Sequence, residues 1–247
     1  MPPTHPGITL SQASVTLGGR PVLHAITADL VQARIGIIGR NGSGKTTLLR
    51  LMAGLITPTS GTVRLGAVDP FKDRKATLTA LGILFQNPDH QILFPTVAEE
   101  IAFGLGQLSQ LGQLGQTDAD AAALAILAQH GRSHWAKAAT HTLSQGQRHY
   151  LCLMAVLAMQ PATILLDEPF AGLDLPSQMQ LKRAFAALPQ QLVTITHDPA
   201  VVAGYDRVLW LQDGRVHLDG APEVVLPAFE AAMERLGAAD ADTDLTH

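Results

Sequence analysis

The sequence has few of the residues that mark secreted, nucleic-acid-binding or membrane-spanning chains. It contains one cysteine among 247 residues, so no disulfide can form within the chain, which fits a reducing compartment. Its net charge of -4 supplies no basic surface, which argues against binding to nucleic acid. No apolar run reaches the ~18 residues of a membrane span, and the opening MPPTHPGITL lacks the pattern of a signal peptide. We therefore expect any role at a membrane to depend on a partner.

Apolar residues, in contrast, are abundant. They make up 47% of the chain, against 15% for charged residues. At this length, such a composition is typical of a globular chain with a full core and one or two domains. Cys152 lies inside an apolar helical run, so we expect a small buried side chain rather than a reactive thiol.

The order of predicted elements indicates an α/β fold. Short β-rich runs over residues 7–33 predict a small antiparallel sheet before a buried strand, RIGIIG, that ends at Gly39. A glycine-rich loop and an apolar-periodic helix follow this strand, as in the opening of a nucleotide-binding fold. Three more buried strands, TILLD, LVTIT and RVLWLQ, are separated by helical or turn segments. We predict a mostly parallel sheet with an N-terminal antiparallel β subdomain.

The composition changes between residues 89 and 142, where Ala, Leu and Gln predominate. We expect an inserted α-helical subdomain there, with a helix cap at Thr117 or Asp118 and a stop at Gly131. The Leu-Gly-Gln triplets of residues 105–116 are too short for a solenoid and favour a loosely helical connector.

These boundaries predict a single domain over residues 1–247. Its nucleotide-binding core would comprise residues 8–88 and 143–226, interrupted by the helical subdomain at 89–142. Residues 227–247 would form a short C-terminal tail, of which we expect the last stretch, GAADADTDLTH, to fray.

The stretch GRNGSGKTT matches the glycine-rich phosphate-binding loop, or P-loop, between a predicted strand and a predicted helix. Its glycines would let backbone N–H groups turn toward phosphate oxygens at the positive end of the helix. Lys45 would hold the β- and γ-phosphates, and the Thr46 hydroxyl would bind Mg²⁺. The loop alone does not distinguish kinases, GTPases and motor ATPases. The residues expected at the nucleotide are Gly39, Asn41, Gly42, Ser43, Gly44, Lys45, Thr46 and Thr47.

Two acidic residues follow the buried strand TILLD. That strand delivers Asp167 at its carboxyl end, where ligands collect in parallel sheets. Asp167 should hold the metal through water, and Glu168 could orient or deprotonate an attacking water. Two acids at a strand end are commonly helix caps, but their coupling to a P-loop favours the catalytic interpretation.

The set of motifs resembles the ATP-binding subunit of ATP-binding-cassette (ABC) transporters. GRNGSGKTT, the glutamine of LFQNP, LSQGQ, LLDEP, AGLD and ITHD occur in that family's order over residues 8–226. The resemblance implies a P-loop NTPase fold that hydrolyses ATP with Mg²⁺. It also implies that two subunits stack head to tail, so that the LSQGQ signature of one closes over the ATP of the other.

The resemblance assigns the signature to the partner's nucleotide. Ser144, the Gly146 backbone and the bare helix end behind them would donate hydrogen bonds to a γ-phosphate in trans, with Gln147 as a further contact. The family usually has LSGGQ, so Gln145 replaces a glycine, and the lost backbone freedom could tune closure.

The resemblance also gives roles to residues near the phosphate. His197 would touch the γ-phosphate and position the water together with Glu168, which makes these two the catalytic residues. Gln86 would sense Mg²⁺ and connect the core to the helical insertion, and Asp174 would communicate across the dimer, although Ala171 replaces the family's common serine. The expected metal ligands are Thr46, Gln86 and Asp167.

Leu17 stands where the family commonly stacks an aromatic ring on adenine. Leucine offers an apolar contact without a ring face, so adenine affinity could be weaker. No residue is assigned to the base.

The stretch LGILFQNPDHQILFPTVAEEIAFGL resembles the ATPases of energy-coupling-factor importers, which take up vitamins or transition metals. The resemblance implies that Asp89, Gln91, Ile92 and Phe94 lie at a coupling helix of a transmembrane partner, although the apolar members could equally be subdomain core. It implies a homodimer or heterodimer of ATPase subunits, a transmembrane coupling protein and a substrate-binding membrane subunit. The resemblance further implies that the chain is a peripheral subunit on the cytoplasmic face of the cell membrane.

The shortness of the C-terminal stretch resembles the biotin-type systems, with cobalt and nickel systems close behind. An ordinary ABC importer is an alternative. A soluble ABC ATPase acting on nucleic acid or ribosomes is disfavoured by the single cassette without basic arms. A catalytically silent scaffold is disfavoured by the presence of Glu168 and His197.

Overall fold

The protein is described here by a computed structural model that covers residues 5–110 and 116–238. Within these residues it contains two β-sheets and a set of α-helices. The strands are β1 (Ile8–Leu17), β2 (Arg20–Leu30), β3 (Arg34–Ile38), β4 (Ser60–Leu65), β5 (Leu81–Leu84), β6 (Thr163–Asp167), β7 (Gln191–Thr196), β8 (Arg207–Gln212) and β9 (Arg215–Gly220). The helices are α1 (Lys45–Met52), α2 (Arg74–Ala80), α3 (Val97–Gln110), α4 (Gln116–Gln129), α5 (Gln145–Ala158), α6 (Leu175–Ala186), α7 (Pro199–Val202) and α8 (Pro222–Ala238).

The larger sheet has the strand order β5-β6-β7-β3-β8-β9, in which only the β8–β9 pair is antiparallel. Strands β6 and β7 are buried along their whole length, as expected for central strands covered on both faces. The carboxyl ends of β3, β6 and β7 lie at one edge, since Ile38 pairs with Thr196 and Asp167 pairs with Ile195. The predicted α/β fold with a mostly parallel sheet is confirmed.

The smaller sheet has the order β2-β1-β4 and is antiparallel throughout, which confirms the predicted N-terminal β subdomain. Its inner side chains join one apolar cluster with β3 and α1. Residues such as Ile8, Leu23, Ile37 and Leu49 are 0–1% exposed in this cluster. The antiparallel sheet is therefore fixed against the strand and helix that flank the P-loop.

Helices α3 and α4 pack with one side of α5 in a separate apolar cluster that includes Ile101, Leu127 and Met154. The other side of α5 joins β6 in the sheet core, where Cys152 is 1% exposed. The expectation of a buried cysteine is confirmed, and burial raises the pKa of its thiol. Because α5 packs in both clusters, the proposed boundary at residues 142/143 stays a prediction.

The beginning of α4 differs from the sequence expectation, whereas its end agrees with it. The helix begins at Gln116, so Thr117 and Asp118 lie inside it and neither is the residue before its first turn. The segment lacks a Ser, Thr, Asp or Asn directly ahead of its first turn, because Gly115 precedes it. At the other end the helix stops at Gln129, and Gly131 has φ +64°, as predicted for a helix stop. Of the expected connector, residues 105–110 belong to α3 and residues 111–115 lie outside the described residues.

Helix α8 crosses the expected boundary between core and tail. It runs through residue 226 and places Val225 and Phe229 against Trp210 of β8. Residues 239–247, where fraying was expected, lie outside the described residues. None of the helices in the two described ranges has the length and apolar character needed to span a membrane.

Candidate functional site

The P-loop connects β3 to α1 through a backbone that only glycine adopts easily at two positions. Gly42 has φ +81° and Gly44 has φ +99°, both in the left-handed region. Gly44 directly precedes the first turn of α1, so unpaired N–H groups of that turn face the loop. Lys45 is buried, and its Nζ donates to the carbonyl oxygens of Gly39 at 2.7 Å and Arg40 at 2.9 Å. Burial lowers the pKa of Lys45, which the nearby acidic residues partly oppose.

The turn between β8 and β9 packs against the P-loop through backbone contacts. Gly214 donates its N–H to the Ser43 carbonyl oxygen at 3.1 Å and accepts from the His24 N–H at 2.9 Å. A Cβ atom at Gly214 would overlap the Val22 carbonyl oxygen, and one at Gly39 would overlap that of Leu211. The loop is therefore held between β2 and the hairpin in a single conformation.

Strand β6 ends in the two predicted acids, and the next strand supplies partners for Glu168. Glu168 has φ +46°, an uncommon conformation for this residue type that turns it out of the strand direction. Its Oε1 lies 2.9 Å from His197 Nδ1, and its Oε2 accepts a hydrogen bond from Thr196 Oγ1 at 3.0 Å. The sequence analysis missed Thr196, whose only signal was its place directly before His197.

Asp167 carries a buried carboxylate at the end of β6. The residue is 7% exposed, and burial, followed by the neighbouring Glu168, raises the pKa of its carboxyl group. A divalent cation would offset both effects, because its charge favours the ionised carboxylate. The carboxylate of Asp167, the hydroxyl of Thr46 and the amide of Gln86 are oxygen donors of the kind that Mg²⁺ prefers.

A cavity of about 340 Å³ brings most of the predicted residues together. Ser43 does not line it, and its buried Oγ has no hydrogen-bond partner among residues 5–110 and 116–238. Leu17, the position aligned with an adenine contact, is 44% exposed and does not line this cavity. Residues 143–147 are also missing from its lining. The lining residues are Val22, Asn41, Gly42, Gly44, Lys45, Thr46, Thr47, Gln86, Asp167, Glu168 and His197.

The signature helix end is not bare, which corrects the sequence expectation. Ser144 Oγ accepts from the Gln147 N–H at 3.3 Å, and the Gln147 side chain accepts from the Ser144 N–H at 2.8 Å. This reciprocal capping box satisfies two backbone donors of the first turn. Within this cap Ser144 Oγ acts only as an acceptor, so its hydroxyl proton remains available to donate to a further acceptor.

The signature also packs closely on the AGLD segment. A Cβ atom at Gly146 would overlap Ser177 Oγ and lie 2.6 Å from Ser177 Cβ. Gln145 lies in the first turn of α5, and its side chain reaches Gly172, whose own Cβ would lie 3.1 Å from the amide nitrogen. Asp174 caps α6 by accepting from the Ser177 N–H, and hydrogen bonds from Ser177 lower the pKa of Asp174.

The loop that carries Gln86 is attached to α5 by a residue that sequence reasoning missed. His149 is fully buried, with Nε2 3.1 Å from the Gln86 carbonyl oxygen and Nδ1 3.1 Å from the Gln145 carbonyl oxygen. The only sequence signal was a polar residue within the apolar face of α5.

The residues expected at a coupling helix differ in exposure. Gln91 is part of the loop, because its amide bonds the backbone of Ile83 and Phe85 at 3.3 Å, and Ile92 packs against the helical cluster. Phe94 stacks on Phe103 with ring centroids 4.8 Å apart. Phe103 is 39% exposed and Leu93 is 69% exposed, so the open apolar surface includes two residues that were not predicted. Asp89, the fourth expected residue, lies 3.2 Å from Arg148 Nε.

Comparison with known proteins decides the family. The family model described as ABC transporter matches residues 25–171. The chain belongs to the ABC transporter family. Its ABC relatives include the biotin transport ATP-binding protein BioM of Rhodobacter capsulatus, 48% identical over 95% of this chain and 98% of that protein. The energy-coupling factor transporter ATP-binding protein EcfA1 of Leuconostoc mesenteroides is 34% identical over 81% of this chain and 75% of that protein. Among solved structures, cbiO1 from Clostridium perfringens, part of the ABC transporter complex cbiONQ, has a TM-score of 0.77 at 26% identity, covering 94% of this chain and 95% of that chain.

Membership of the ABC family confirms the resemblance drawn from the motifs and the prediction of an ATPase. As an ABC ATPase, the chain binds ATP. The roles of the individual residues stay predictions, although six of the eight predicted P-loop residues, all but Gly39 and Ser43, share one cavity with the three at the strand edge.

Proposed function

We propose that the chain is the ATP-hydrolysing subunit of an energy-coupling-factor importer, with biotin as the favoured cargo. The observation that carries this proposal is the 48% identity to a biotin transport ATP-binding protein along nearly the whole of both chains. A transition-metal ion, cobalt or nickel, is the alternative cargo left open by the family resemblance. Cargo choice would belong to a membrane subunit, so this chain would supply the energy in either case.

In this proposal, two ATPase subunits close over two ATP molecules. The cavity of one chain collects the phosphate-binding and acidic residues, whereas Ser144, Gly146 and Gln147 do not line it. These three residues would complete the cavity of a second subunit, identical or related. Ser144 at the exposed end of α5 would then donate its hydroxyl proton to the partner's γ-phosphate while its oxygen keeps the bond from the Gln147 N–H.

The chain's own residues would carry hydrolysis by positioning and by moving one proton. Lys45 and the N–H groups of the P-loop would bind the phosphates, and Thr46, Gln86 and Asp167 would hold Mg²⁺, which neutralises phosphate charge. Glu168 would accept a proton from the attacking water, because its carboxylate is held in place by Thr196 and His197.

Movement would reach the membrane through the loop of Gln86. The apolar surface formed by Leu93, Phe94 and Phe103 would take a helix of the transmembrane coupling protein, which would hold the chain peripherally at the cytoplasmic face. Such a surface is suited to an amphipathic partner, since its rings form a contiguous patch beside the Gln86 loop.

Two measurements test this proposal. Phosphate release from the full chain should rise more than linearly with chain concentration, because each site needs a second molecule. Cells that express the chain with its membrane subunits should accumulate labelled biotin and lose that uptake when Glu168 is replaced by Gln. Full turnover by provably monomeric chains would contradict paired sites, and uptake of labelled cobalt without biotin would replace the proposed cargo.

A further inference from the structure

His149 occupies a buried position between two functional segments of the chain. Its ring is 0% exposed and lies between the first turn of α5 and the loop after β5. One ring nitrogen faces the Gln145 carbonyl oxygen within its own helix, and the other faces the Gln86 carbonyl oxygen, 63 residues away in sequence. The imidazole thus spans the gap between the signature helix and the loop that lines the ATP cavity.

The contact with Gln86 involves its backbone carbonyl oxygen, which has no other hydrogen-bond partner in the described part of the chain. Across residues 5–110 and 116–238, His149 Nε2 is the one hydrogen-bonding atom found at the Gln86 carbonyl oxygen. With the proton on Nε2, the ring donates to this oxygen. Loss of the donor would leave a carbonyl group without a partner, which frees the loop to move independently of α5.

Within residues 5–110 and 116–238, the other polar side-chain links between the two segments are weaker. Cys152 Sγ lies 4.0 Å from the Pro88 carbonyl oxygen, and a thiol is a weak donor. Arg148 Nε lies 3.2 Å from Asp89 Oδ1 without hydrogen-bond geometry, and the Asp89 side chain is 59% exposed. Exposed ion pairs of this kind contribute little, because solvent screens them. His149 is therefore the strongest described hydrogen-bonding link between the two segments, and it adds to the apolar packing between β5 and α5.

We infer that His149 is a positioning residue that couples the two ATP sites of the ABC dimer, which rests on the proposed function. Gln86 lines the cavity of its own subunit, whereas Ser144 at the start of α5 would reach the partner's ATP. A rigid link between them means that a shift of Gln86 toward its own ATP also shifts Ser144. Each bound ATP would thereby bias closure over the other.

Two substitutions separate the two halves of the imidazole. In His149→Gln, the amide nitrogen takes about the place of Nε2 and keeps the bond to Gln86. In His149→Asn, the amide nitrogen takes about the place of Nδ1, so no donor reaches the Gln86 carbonyl oxygen. Both variants remove the ring, but the Asn side chain is one methylene smaller than that of Gln, so hydrogen exchange at the Gln86 loop is needed to separate loss of the bond from loss of packing.

The experiment measures ATP hydrolysis and ATP binding by the full chain. The His149→Asn variant should lose about tenfold in kcat and lose cooperativity in ATP, the scale expected for one buried hydrogen bond. Its affinity for a non-hydrolysable ATP analogue should be unchanged, because His149 does not line the cavity. The His149→Gln variant should stay within about twofold of the original chain in kcat.

Hydrogen exchange gives a second readout. Amides of residues 85–87 should exchange faster in His149→Asn than in His149→Gln, and in the original chain they should gain protection together with residues 145–149 when the analogue binds. Equal loss in both variants, no loss in either, or independent protection of the two segments would overturn the inference. In each of these cases turnover of the original chain still rises more than linearly with chain concentration, whereas failure of the paired sites on which the inference rests would remove that dependence in the original chain itself.

Discussion

Gly146 lies close to Ser177, so the effect of Gly146→Ala on the free energy of unfolding should depend on whether Ser177 is present. In an open helix, Gly→Ala stabilises by about 1 kcal/mol. Here the added Cβ would overlap Ser177 Oγ and lie 2.6 Å from Ser177 Cβ, so α5 and α6 must separate. Overpacking of this kind costs about 1–3 kcal/mol. We therefore expect Gly146→Ala to destabilise the chain by about 1 kcal/mol net, which lowers the unfolding midpoint by about 2–4 °C.

Replacing Ser177 by Gly removes both atoms that the new Cβ would meet. Ser177→Gly alone should destabilise α6 by about 0.5–1 kcal/mol, because glycine loses more backbone freedom on folding. In that background, Gly146→Ala should become stabilising by about 1 kcal/mol, since the overlap is gone and the helix preference remains. The Asp174 cap is kept in both backgrounds, because it bonds the backbone N–H of residue 177.

Thermal unfolding of the four chains forms a double-mutant cycle, measured without nucleotide so that closure plays no part. A coupling of about 2 kcal/mol between the two positions is expected, well above the additivity limit of about 0.5 kcal/mol. If Gly146→Ala shifts the midpoint equally in both backgrounds, α5 and α6 do not approach as described, and the reasoning is wrong.

Three further predictions concern the site. Glu168→Gln should lower turnover by about 10² while ATP binding persists, because only the proton acceptor is lost; near-normal single-turnover rates would remove Glu168 from its role. Asp167→Asn should raise the unfolding midpoint of the nucleotide-free chain at neutral pH. Because burial raises the pKa of Asp167, its ionised carboxylate lowers the free energy of unfolding. This loss of stability grows as the pH rises from the ordinary carboxyl pKa to the raised pKa of the folded chain. The same variant should gain no thermal protection from Mg²⁺ with ATP, and protection equal to that of the original chain would contradict a metal role. Ser144→Arg should keep the ATP affinity of single chains and lose the dependence of turnover on chain concentration, as followed by sedimentation and phosphate release; unchanged pairing would argue against contact in trans.

Much of the fold could be predicted because its signals are local. Continuous apolar runs mark β3, β6 and β7 as strands buried on both faces, and the parallel arrangement brings their ends to one edge. That edge is where the P-loop, Asp167 and His197 meet. The places of the P-loop and Asp167 follow from the order of strands and helices, whereas His197 was assigned through the family resemblance.

Other features depend on long-range packing that leaves no periodic signal. The bond from Thr196 to Glu168 joins residues from two strands, and the link from His149 to Gln86 joins a helix to a distant loop. Neither pairing can be read from spacing, because each depends on the register of the sheet and the placement of α5. The capping box, in contrast, could have been predicted, because Ser144 and Gln147 have its three-residue spacing in the sequence. It was missed because the family resemblance assigned both residues to the partner's ATP.

The contact between the β8–β9 turn and the P-loop affects which substitutions can change the affinity for ATP during evolution. Gly214 and Leu211 do not line the cavity, yet their backbone packs against the P-loop, whose N–H donors would bind the triphosphate. The entropy of ordering those donors is therefore spent during chain folding, before any ligand arrives. Substitutions in this remote turn would register as weaker nucleotide capture, and a screen confined to residues lining the cavity would overlook them.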